Sequence, residues 1–477
     1  MGRFQSKLFL ITVSLLFLAI ALSVSAAQCR ESPVVQPDGD SALSIEDIPS
    51  AIRPVINSIV IKGNSHYRRS FLRKWLETAI VDGKLNIAAF KKSMMNINGL
   101  PDLEAEASFA PSTQKEAYDL ILNVMDRKNV HLRFTYDNFG TVSSGENRMI
   151  CEMSLSSLLS CGDSLMMKLI DPISNKNSVS QYYVTYSVPI NTRGTRMSLA
   201  ASSIDTMIPA SPDDYEMETF DTYELIRNSQ IYTLSFTSPI ECSKSLNSNI
   251  ISGITAKHYG EHRKEFLFDT YDEVRFVFFG LNREEKHGAL KLNYSLQLSQ
   301  GLGTFLGGME DDCIYSRKEM VTGRYTRLSG SFQIRQNLGK KNYFNLRGAG
   351  QISNSRLPIS EEFPIGGPDS VRGYAKNEYR GDDGFFMNAE YRHQLVASDK
   401  GRSPLEAILF YDFGRVRTIN TQANELSDKN IQGAGIGFRV AAGSSTDIRL
   451  DCGWPIKPPD NKLKRNPYIY TQMTIRL

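Results

Sequence analysis

Three stretches of this sequence carry residue types that could do chemistry, and the first of them contains a potential nucleophile. Gly162-Asp-Ser-Leu165 has the order of a short motif found in one family of esterases. A serine becomes a strong nucleophile only beside a general base, and the Asp-x-x-His partner that such a serine needs near the C-terminus is missing. We therefore predict no catalytic residue and no enzyme activity.

The other two stretches hold residues that could bind a metal ion. His258 and His262 are four residues apart, a spacing that converges on a metal only on a helix, whereas we expect both where a strand passes into a charged loop. The acidic run from Asp205 to Glu224 lacks the spacing of a calcium-binding loop. We predict no metal site and no cofactor, and we expect no nucleotide.

The first residues of the chain have the order of a secretory signal. Arg3 and Lys7 are followed by an uncharged apolar run over residues 8–24 and then by small residues. A membrane-spanning helix is the alternative, but the run is short for a span. We assign residues 1–26 to a cleaved signal peptide and 27–55 to a linker. The near-neutral charge, +3 with the signal, gives no reason to expect a nucleic-acid partner.

Residues 56–127 have the mixed periodicity of a small α+β domain. Ile59 and Ile61 predict a strand, and apolar residues at helical spacing follow twice before two more strands near 103–109 and 118–125. The predicted order is β-α-α-β-β. About 75 residues are enough for such a domain to fold on its own.

Residues 129–477 alternate between apolar and polar side chains almost throughout. In residues 290–299, for example, leucine or tyrosine stands at every second position between polar residues. Alternating segments of about ten residues are typical of tilted transmembrane strands. We count sixteen such segments, an even number as in single-chain bacterial barrels. They lie near 130–138, 147–157, 162–172, 180–190, 195–204, 229–238, 248–260, 272–284, 288–299, 322–336, 342–354, 384–396, 404–414, 432–441, 446–454 and 467–477.

The connections between these segments alternate in length. Long connections follow strands 5, 9, 11 and 13, whereas those after even-numbered strands are mostly short. Short periplasmic turns and long outer loops produce this parity, and a soluble β-sandwich has no reason to show it. We therefore predict an all-β membrane protein, a 16-stranded antiparallel transmembrane β-barrel, with the domain of residues 56–127 in the periplasm.

Two motifs fall in places that the predicted barrel identifies as an outer loop and a neighbouring strand. The connection between strands 11 and 12 contains Phe363-Pro-Ile-Gly-Gly-Pro-Asp-Ser-Val-Arg-Gly-Tyr374, and strand 13 contains Phe410-Tyr-Asp-Phe-Gly414. Strand alternation directs Asp412 into the lumen, where a guanidinium could bond to both of its oxygens. The tight backbone that an inward loop tip needs is permitted by glycines, namely Gly366, Gly367 and Gly373.

Together with Gly381-Asp-Asp-Gly384, these motifs resemble the superfamily of outer-membrane assembly and transport barrels that includes BamA. The sequence looks most like the two-partner secretion transporters of the haemolysin activation/secretion type, over nearly all of the mature chain. The resemblance implies that the sixth outer loop folds into the barrel, and that Arg372, within Val371-Arg-Gly-Tyr374, pairs with Asp412 of the Phe410 to Gly414 motif. It also identifies residues 56–127 as similar to a polypeptide-transport-associated (POTRA) domain, although such transporters usually carry two of these domains and a plug helix.

The function that the resemblance implies is polypeptide transport across the bacterial outer membrane. We expect the periplasmic domain to bind an exported, unfolded polypeptide as an added β-strand, and the barrel to translocate it. The expected partners are this client and outer-membrane lipid, and we expect a monomer. Two alternatives remain open. One is a BamA-like insertase that uses the first strand, 130–138, as a template, and the other is a passive pore or adhesin.

Overall fold

The computed structural model of the chain describes residues 43–44 and 54–477, apart from 115, 142–144, 174–177, 210–223, 244, 264–268, 397–403, 423–424, 426 and 458–465. The predicted signal peptide and most of the predicted linker lie outside these residues. Strand β1, Leu43–Ser44, is a short element within the predicted linker. No helix among the described residues is both long enough and apolar enough to cross a membrane.

Seven elements between residues 55 and 126 form the small domain. They are β2 (Val55–Lys62), α1 (Arg69–Glu77), β3 (Ile80–Val81), β4 (Lys84–Leu85), α2 (Ile87–Asn98), β5 (Leu103–Pro111) and β6 (Ala117–Asp126). The strands β2 to β6 are hydrogen-bonded in the order β5-β6-β2-β4-β3. β2 runs parallel to β6, and β5 runs antiparallel to β6. The predicted β-α-α-β-β order is confirmed, with the two-residue strands β3 and β4 added between the helices.

The two helices of this domain cover one face of its sheet. Leu72 and Leu76 of α1 and Phe90 of α2 are fully buried, as are Leu120 and Leu122 of β6. Burying each such side chain stabilises the fold by about 1.5–3 kcal/mol. The apolar residues that predicted the helices are therefore those that form the core.

Sixteen strands after residue 129 form a closed antiparallel barrel, in which the last strand pairs with the first. The predicted fold class is thus confirmed. The strands are β7 (Val130–Asp137), β8 (Arg148–Ser156), β9 (Ser164–Pro172), β10 (Ser178–Pro189), β11 (Arg196–Pro209), β12 (Glu224–Cys242), β13 (Leu246–Arg263), β14 (Thr270–His287), β15 (Leu290–Gly301), β16 (Thr326–Asn337), β17 (Asn342–Ser353), β20 (Asp383–Val396), β21 (Leu405–Arg417), β22 (Asp428–Ala442), β23 (Thr446–Pro455) and β24 (Tyr468–Arg476). Two further short strands, β18 (Phe363–Ile365) and β19 (Tyr379–Gly381), lie within the connection from β17 to β20.

The side chains of each strand alternate between the lumen and the outside of the barrel. On β21, Leu409 and Tyr411 are about half exposed on the outside, at 59% and 45%, whereas Phe410 and Asp412 are buried on the inside. An apolar outer face and a polar lumen are what a membrane barrel requires, since its outside is solvated by lipid. The exposed apolar residues of the strands therefore form the face that we expect to contact lipid, and we call it the lipid-contacting surface.

Three neighbouring strands are longer than their sequences predicted. β12 has 19 residues, and β13 and β14 have 18 each, whereas a tilted span needs about 9–11. Ten of the 24 residues of the predicted connection 205–228, namely 205–209 and 224–228, are therefore strand. His258 and His262 lie within β13 rather than in a loop. Backbone pairing continues beyond the lipid because water tolerates polar side chains on both faces of a strand, so the alternation that predicted the strand is lost before the strand ends.

The small domain lies at the end of the barrel where the short turns are. Asp102 accepts hydrogen bonds from the Ser156 hydroxyl and from the His131 ring, whose Nε2 lies 2.7 Å from Oδ1. Leu100 packs against the turn at Gly162. We call this end the domain end, and the opposite end, which carries the long connections, the loop end.

The turn at Gly162 explains the esterase-like motif. Asp163 is fully buried and accepts hydrogen bonds from the backbone N–H groups of Leu158, Leu159 and Ser160 at 2.7–2.9 Å. The Tyr186 hydroxyl donates a fourth, at 2.8 Å. Gly162 and Asp163 therefore close the turn before β9, Ser164 and Leu165 begin that strand, and Asp163 is occupied by structural bonds.

Candidate functional site

The candidate site is built on loop 6, which we define as residues 354–382 between β17 and β20. β18 and β19 pair as a hairpin that joins Phe363 to Gly381 and Ile365 to Tyr379. Beyond the hairpin, the tip of the loop is fully buried at Ile365, Val371 and Tyr374. These side chains pack with inward-facing Val416 and Ile431 of the barrel wall. Loop 6 thus lies inside the barrel because its apolar residues are covered there.

Three glycines shape the tip of loop 6. Gly366, Gly367 and Gly373 have φ angles of 106°, 97° and 97°, which L-residues with a side chain rarely adopt. A Cβ on Gly373 would also lie 2.7 Å from the backbone nitrogen of Pro455. Glycine is therefore required at Gly373 both by the conformation and by the close approach of β23.

Arg372 projects from this tip onto Asp412. Its Nε lies 2.7 Å from Asp412 Oδ2 and its Nη2 lies 2.9 Å from Oδ1, so the guanidinium binds the carboxylate in a bidentate manner. The backbone N–H of Arg372 donates a third bond to Oδ2 at 3.0 Å. Both residues are almost completely buried, at 1% and 0% exposure.

Two more carboxylates share the charge of Arg372. Its Nη1 lies 2.8 Å from Glu390 and 3.6 Å from Asp451, and the Cζ of Arg372 lies 3.4 Å above the ring centroid of Phe410. Further arginines on the wall complete the network, Arg392 on Glu390 and Arg439 and Arg449 on Asp451. Desolvation offsets much of the attraction within a buried ion pair, so the network fixes the position of the tip more than it stabilises the fold.

The backbone of the tip is held by other bonds to the wall. The Gly373 N–H donates to the Tyr470 hydroxyl at 3.1 Å, and that hydroxyl donates to the Tyr374 carbonyl at 2.6 Å. The Tyr374 hydroxyl in turn donates to the carbonyl of Lys457 at 2.8 Å. The tip approaches so closely that a Cβ on Gly433 of β22 would lie 1.9 Å from the Arg372 carbonyl oxygen. The inner wall therefore has a glycine recess in which the tip is seated.

The root of loop 6 is fixed by the Gly381-Asp-Asp-Gly384 motif. Asp382 is fully buried and accepts hydrogen bonds from the backbone nitrogens of Leu357 and Ile419, both at 2.7 Å. Lys318, from the preceding long connection, lies 3.2 Å from the same carboxylate. Asp382 thus joins three connections of the loop end.

A buried glutamate attaches the first half of loop 6 to β13 and β16. Glu361 has 2% exposure and lies 2.6 Å from Lys257 Nζ and 2.7 Å from Arg327 Nη1. Loop 6 is therefore anchored by ion pairs to two separate parts of the wall, at its tip by Arg372 and ahead of β18 by Glu361.

The pair of Arg356 and Glu425 connects the root of loop 6 to the connection that follows β21, and it should give this contact a pH dependence. The hydrogen bond from Arg356 lowers the pKa of Glu425 from 4.5 to about 2. Because the folded-state pKa is depressed, the stabilisation is complete above pH 4.5 and is lost as the pH falls towards 2. We predict that the difference in Tm between wild type and Glu425→Gln is constant above pH 4.5 and disappears near pH 2. A difference that stays constant through this window would contradict the assignment.

The charged residues of the site hold loop 6 in one position. Among the residues that the structure describes, no three histidine, cysteine or acidic side chains are grouped so that they could hold a metal ion. The charged groups are engaged with one another, and the arrangement holds a loop across the lumen.

Several residues that hold the tip were not predicted from the sequence. Glu390, Asp451 and Tyr470 lie on inward positions of their strands, where polar residues are common, so nothing marked them individually. Gly433, Gly435 and Gly437 did carry a signal, because glycine at every second position of a strand indicates close approach of another backbone.

Comparison with known families decides the class of this barrel. The model of the haemolysin secretion/activation protein family ShlB/FhaC/HecB matches residues 117–440. The chain belongs to this family. It is accordingly a two-partner secretion transporter, an outer-membrane barrel through which exported proteins are translocated, and not an enzyme.

Individual relatives agree with this family. The heme/hemopexin transporter protein HuxB of Haemophilus influenzae is 22% identical over 422 residues, which cover 86% of this chain and 70% of HuxB. Among solved structures, CdiB from Escherichia coli has a TM-score of 0.70 at 14% identity and covers 91% of this chain and 94% of its own. BamA from Haemophilus ducreyi lacking POTRA domains 1–3 has a TM-score of 0.55 at 14% identity, covering 88% and 84%. These structural neighbours share the fold.

Proposed function

We propose that this ShlB/FhaC/HecB family member receives an unfolded exported polypeptide on its small domain and passes it through the barrel when loop 6 leaves the lumen. The small domain is then a periplasmic POTRA domain, and the domain end of the barrel faces the periplasm. Residues 1–26 serve as a cleaved signal peptide, residues 27–55 as a linker, and the barrel functions as a monomer. The observation that carries the proposal is the seating of Arg372 against three buried carboxylates of the wall.

Such a contact suits a reversible closure. A buried ion pair contributes little net stability, but its geometry defines one position of the group that it holds. The ion pairs therefore fix the tip of loop 6 in one position while adding little to the stability that its buried apolar side chains provide. Val371, Gly373 and Tyr374 provide the fit, and Gly414 leaves room for Val371, since a Cβ there would lie 2.8 Å from Val371 Cγ2.

The small domain offers an edge to which an extended client could add. β2 pairs with β6 along its length, but on its other side it pairs with a strand only at Val55, within the described residues. The Ile59 carbonyl accepts a hydrogen bond from Arg73 of α1 at 3.1 Å and is engaged within the domain. Because no further strand among the described residues pairs with β2 on that side, other backbone groups of β2 could take part in β-augmentation.

The test is secretion of the client protein together with conductance, in cells and bilayers that contain the full chain or a chain lacking residues 56–127. The proposal expects the deletion to abolish secretion while the barrel still inserts and conducts. For the edge itself, Ile59→Pro removes a backbone N–H and should reduce secretion strongly, whereas Ile59→Val keeps the N–H and a branched side chain and should not. Secretion that continues without residues 56–127 would make the domain a spacer and the proposal wrong.

A further inference from the structure

We propose that residues Gly303–Gly308, which we call the finger, anchor the loop end of the barrel in the outer leaflet, where Phe305 and Leu306 enter the lipid and Arg324 binds headgroup phosphate. The finger belongs to loop 5, which we define as residues 302–325 between β15 and β16. The inference depends on the proposed orientation, in which the loop end faces outwards, and it goes beyond polypeptide transport.

The finger is a closed and preformed structure. A Cβ on Gly308 would lie 2.0 Å from the Gly303 carbonyl oxygen, so the two ends of the finger meet in a narrow neck. Between them, Gly307 N–H donates to the Thr304 carbonyl at 3.2 Å. Leu306 has a φ of 56°, a left-handed conformation that is rare for a residue with a bulky side chain and often marks a functional position.

Neighbouring backbone bonds place the finger on the outside of the wall. Leu302 N–H donates to the Arg275 carbonyl at 2.8 Å, and Met309 N–H returns to the Glu273 carbonyl at 2.7 Å. Arg275 alternates with Val274 and Phe276, which are buried in the lumen, so its side chain is on the outer face. Its Nε donates to the Leu306 carbonyl at 3.2 Å. The finger therefore projects from the outer surface of β14.

The lipid-contacting surface begins directly below the finger. The next outward residues of β14, Val277 and Phe279, are 39% and 56% exposed and are followed by Leu281 and then Arg283. From Arg275 to Arg283 the strand advances about 27 Å at ~3.4 Å per residue, which a tilt of about 35–45° reduces to roughly 19–22 Å along the membrane normal, a little less than an apolar band of about 25 Å. The finger thus lies where hydrocarbon meets headgroups.

The finger has the composition of a membrane interface anchor. Phe305 and Leu306 are 62% and 59% exposed, and the outward-facing Val277 and Phe279 farther along β14 are exposed as well, at 39% and 56%. On the other side of the finger, Arg324 is exposed, and a Cβ on Gly303 would lie 2.8 Å from its Nε. An apolar tip flanked by arginines suits lipid whose headgroups carry phosphate, the chemistry of outer-leaflet lipopolysaccharide.

The remainder of loop 5 connects the finger to loop 6. Met309 and Val321 are buried against Leu357 of loop 6 in the lumen, and Lys318 contacts Glu362 and Asp382. Loop 5 therefore crosses the rim of the barrel from the lipid to the root of loop 6. A finger held in the leaflet would keep this root fixed while the tip moves.

Tryptophan fluorescence of the full chain tests the anchor. The sequence has two tryptophans, and replacing the outward-facing one, Trp454→Phe, leaves Trp75 buried in the small domain. In phosphatidylcholine vesicles, the tryptophan of Phe305→Trp in this background should emit at shorter wavelength than a tryptophan in water. It should also be quenched by acyl chains brominated near the headgroup. Ile314→Trp, at a position 86% exposed beside acidic residues of the same loop, should be unquenched. An unquenched, water-like emission from Phe305→Trp would overturn the proposal, as would equal quenching at both positions.

The phosphate contact is tested by adding lipopolysaccharide to the vesicles. The emission of Phe305→Trp should shift further to shorter wavelength, and Arg324→Gln should abolish the additional shift. No response to lipopolysaccharide, or the same response in Arg324→Gln, would show that the headgroup does not bind Arg324. The spectra require no client and no secretion, so a failure of this inference is distinguishable from a failure of the transport mechanism.

Discussion

Arg372→Ala should turn a barrel that conducts in brief, small events into one with large and long-lived openings. The substitution leaves Asp412 buried without the guanidinium that binds both of its oxygens, whereas Glu390 keeps Arg392, and Asp451 keeps Arg439 and Arg449. Breaking a buried pair by removal of one partner costs about 3–5 kcal/mol, because the remaining charge is uncompensated. That cost falls on the closed position of loop 6, since the released tip can move while the wall keeps its backbone pairing.

Single-channel recording of refolded protein in planar bilayers measures this effect. Arg372→Lys should be intermediate, because one ammonium cannot bind both oxygens of Asp412 while reaching Glu390. Arg415→Ala is a matched control on β21, the strand that carries Asp412. The partner of Arg415, Asp428, is solvent-accessible, and such exposed pairs contribute little. If Arg372→Ala conducts as the wild type does, the arginine does not hold the loop in the lumen.

The barrel could be predicted because every strand in its wall must alternate apolar and polar side chains. A wall between lipid and lumen imposes the alternation seen in Leu296 and Leu298 against Gln297 and Ser299. The requirement ends where the lipid ends. The strands β12, β13 and β14 continue beyond it through backbone bonds alone, and backbone bonds leave no pattern in the sequence.

Some residues of the site could likewise be predicted from the sequence, and others could not. Arg372 and Asp412 belong to motifs that could be found in the sequence, together with the glycines of the tip. Glu390 and Asp451 became part of the site only because the folded loop brings them to 2.8 and 3.6 Å from the same Nη1. Lys257 and Glu361 are separated by 104 residues, and neither stands in a motif. Contacts that depend on where a loop comes to lie across the lumen require its three-dimensional course.

Gly433→Ala should displace the tip of loop 6 without replacing any charged residue. The added methyl group would meet the Arg372 carbonyl oxygen at 1.9 Å, and this backbone atom can move only with the tip. Overpacking typically costs about 1–3 kcal/mol, and here it acts on the seated position of the loop. Hydrogen exchange at the Arg372 and Gly373 amides, which are bonded to Asp412 and Tyr470, should accelerate by roughly 5- to 150-fold, the equivalent of that energy, and large openings should appear.

Gly330→Ala provides the comparison, because a Cβ on this barrel glycine would meet nothing closer than the Ser295 carbonyl oxygen at 3.1 Å and lies away from loop 6. It should leave both the exchange rates and the conductance unchanged. If Arg372→Ala and Gly433→Ala produce the same openings, the position of the tip closes the barrel and the charges serve to hold that position. If only Arg372→Ala opens it, the tip tolerates a shift within the recess, and closure depends on the ion pairs themselves.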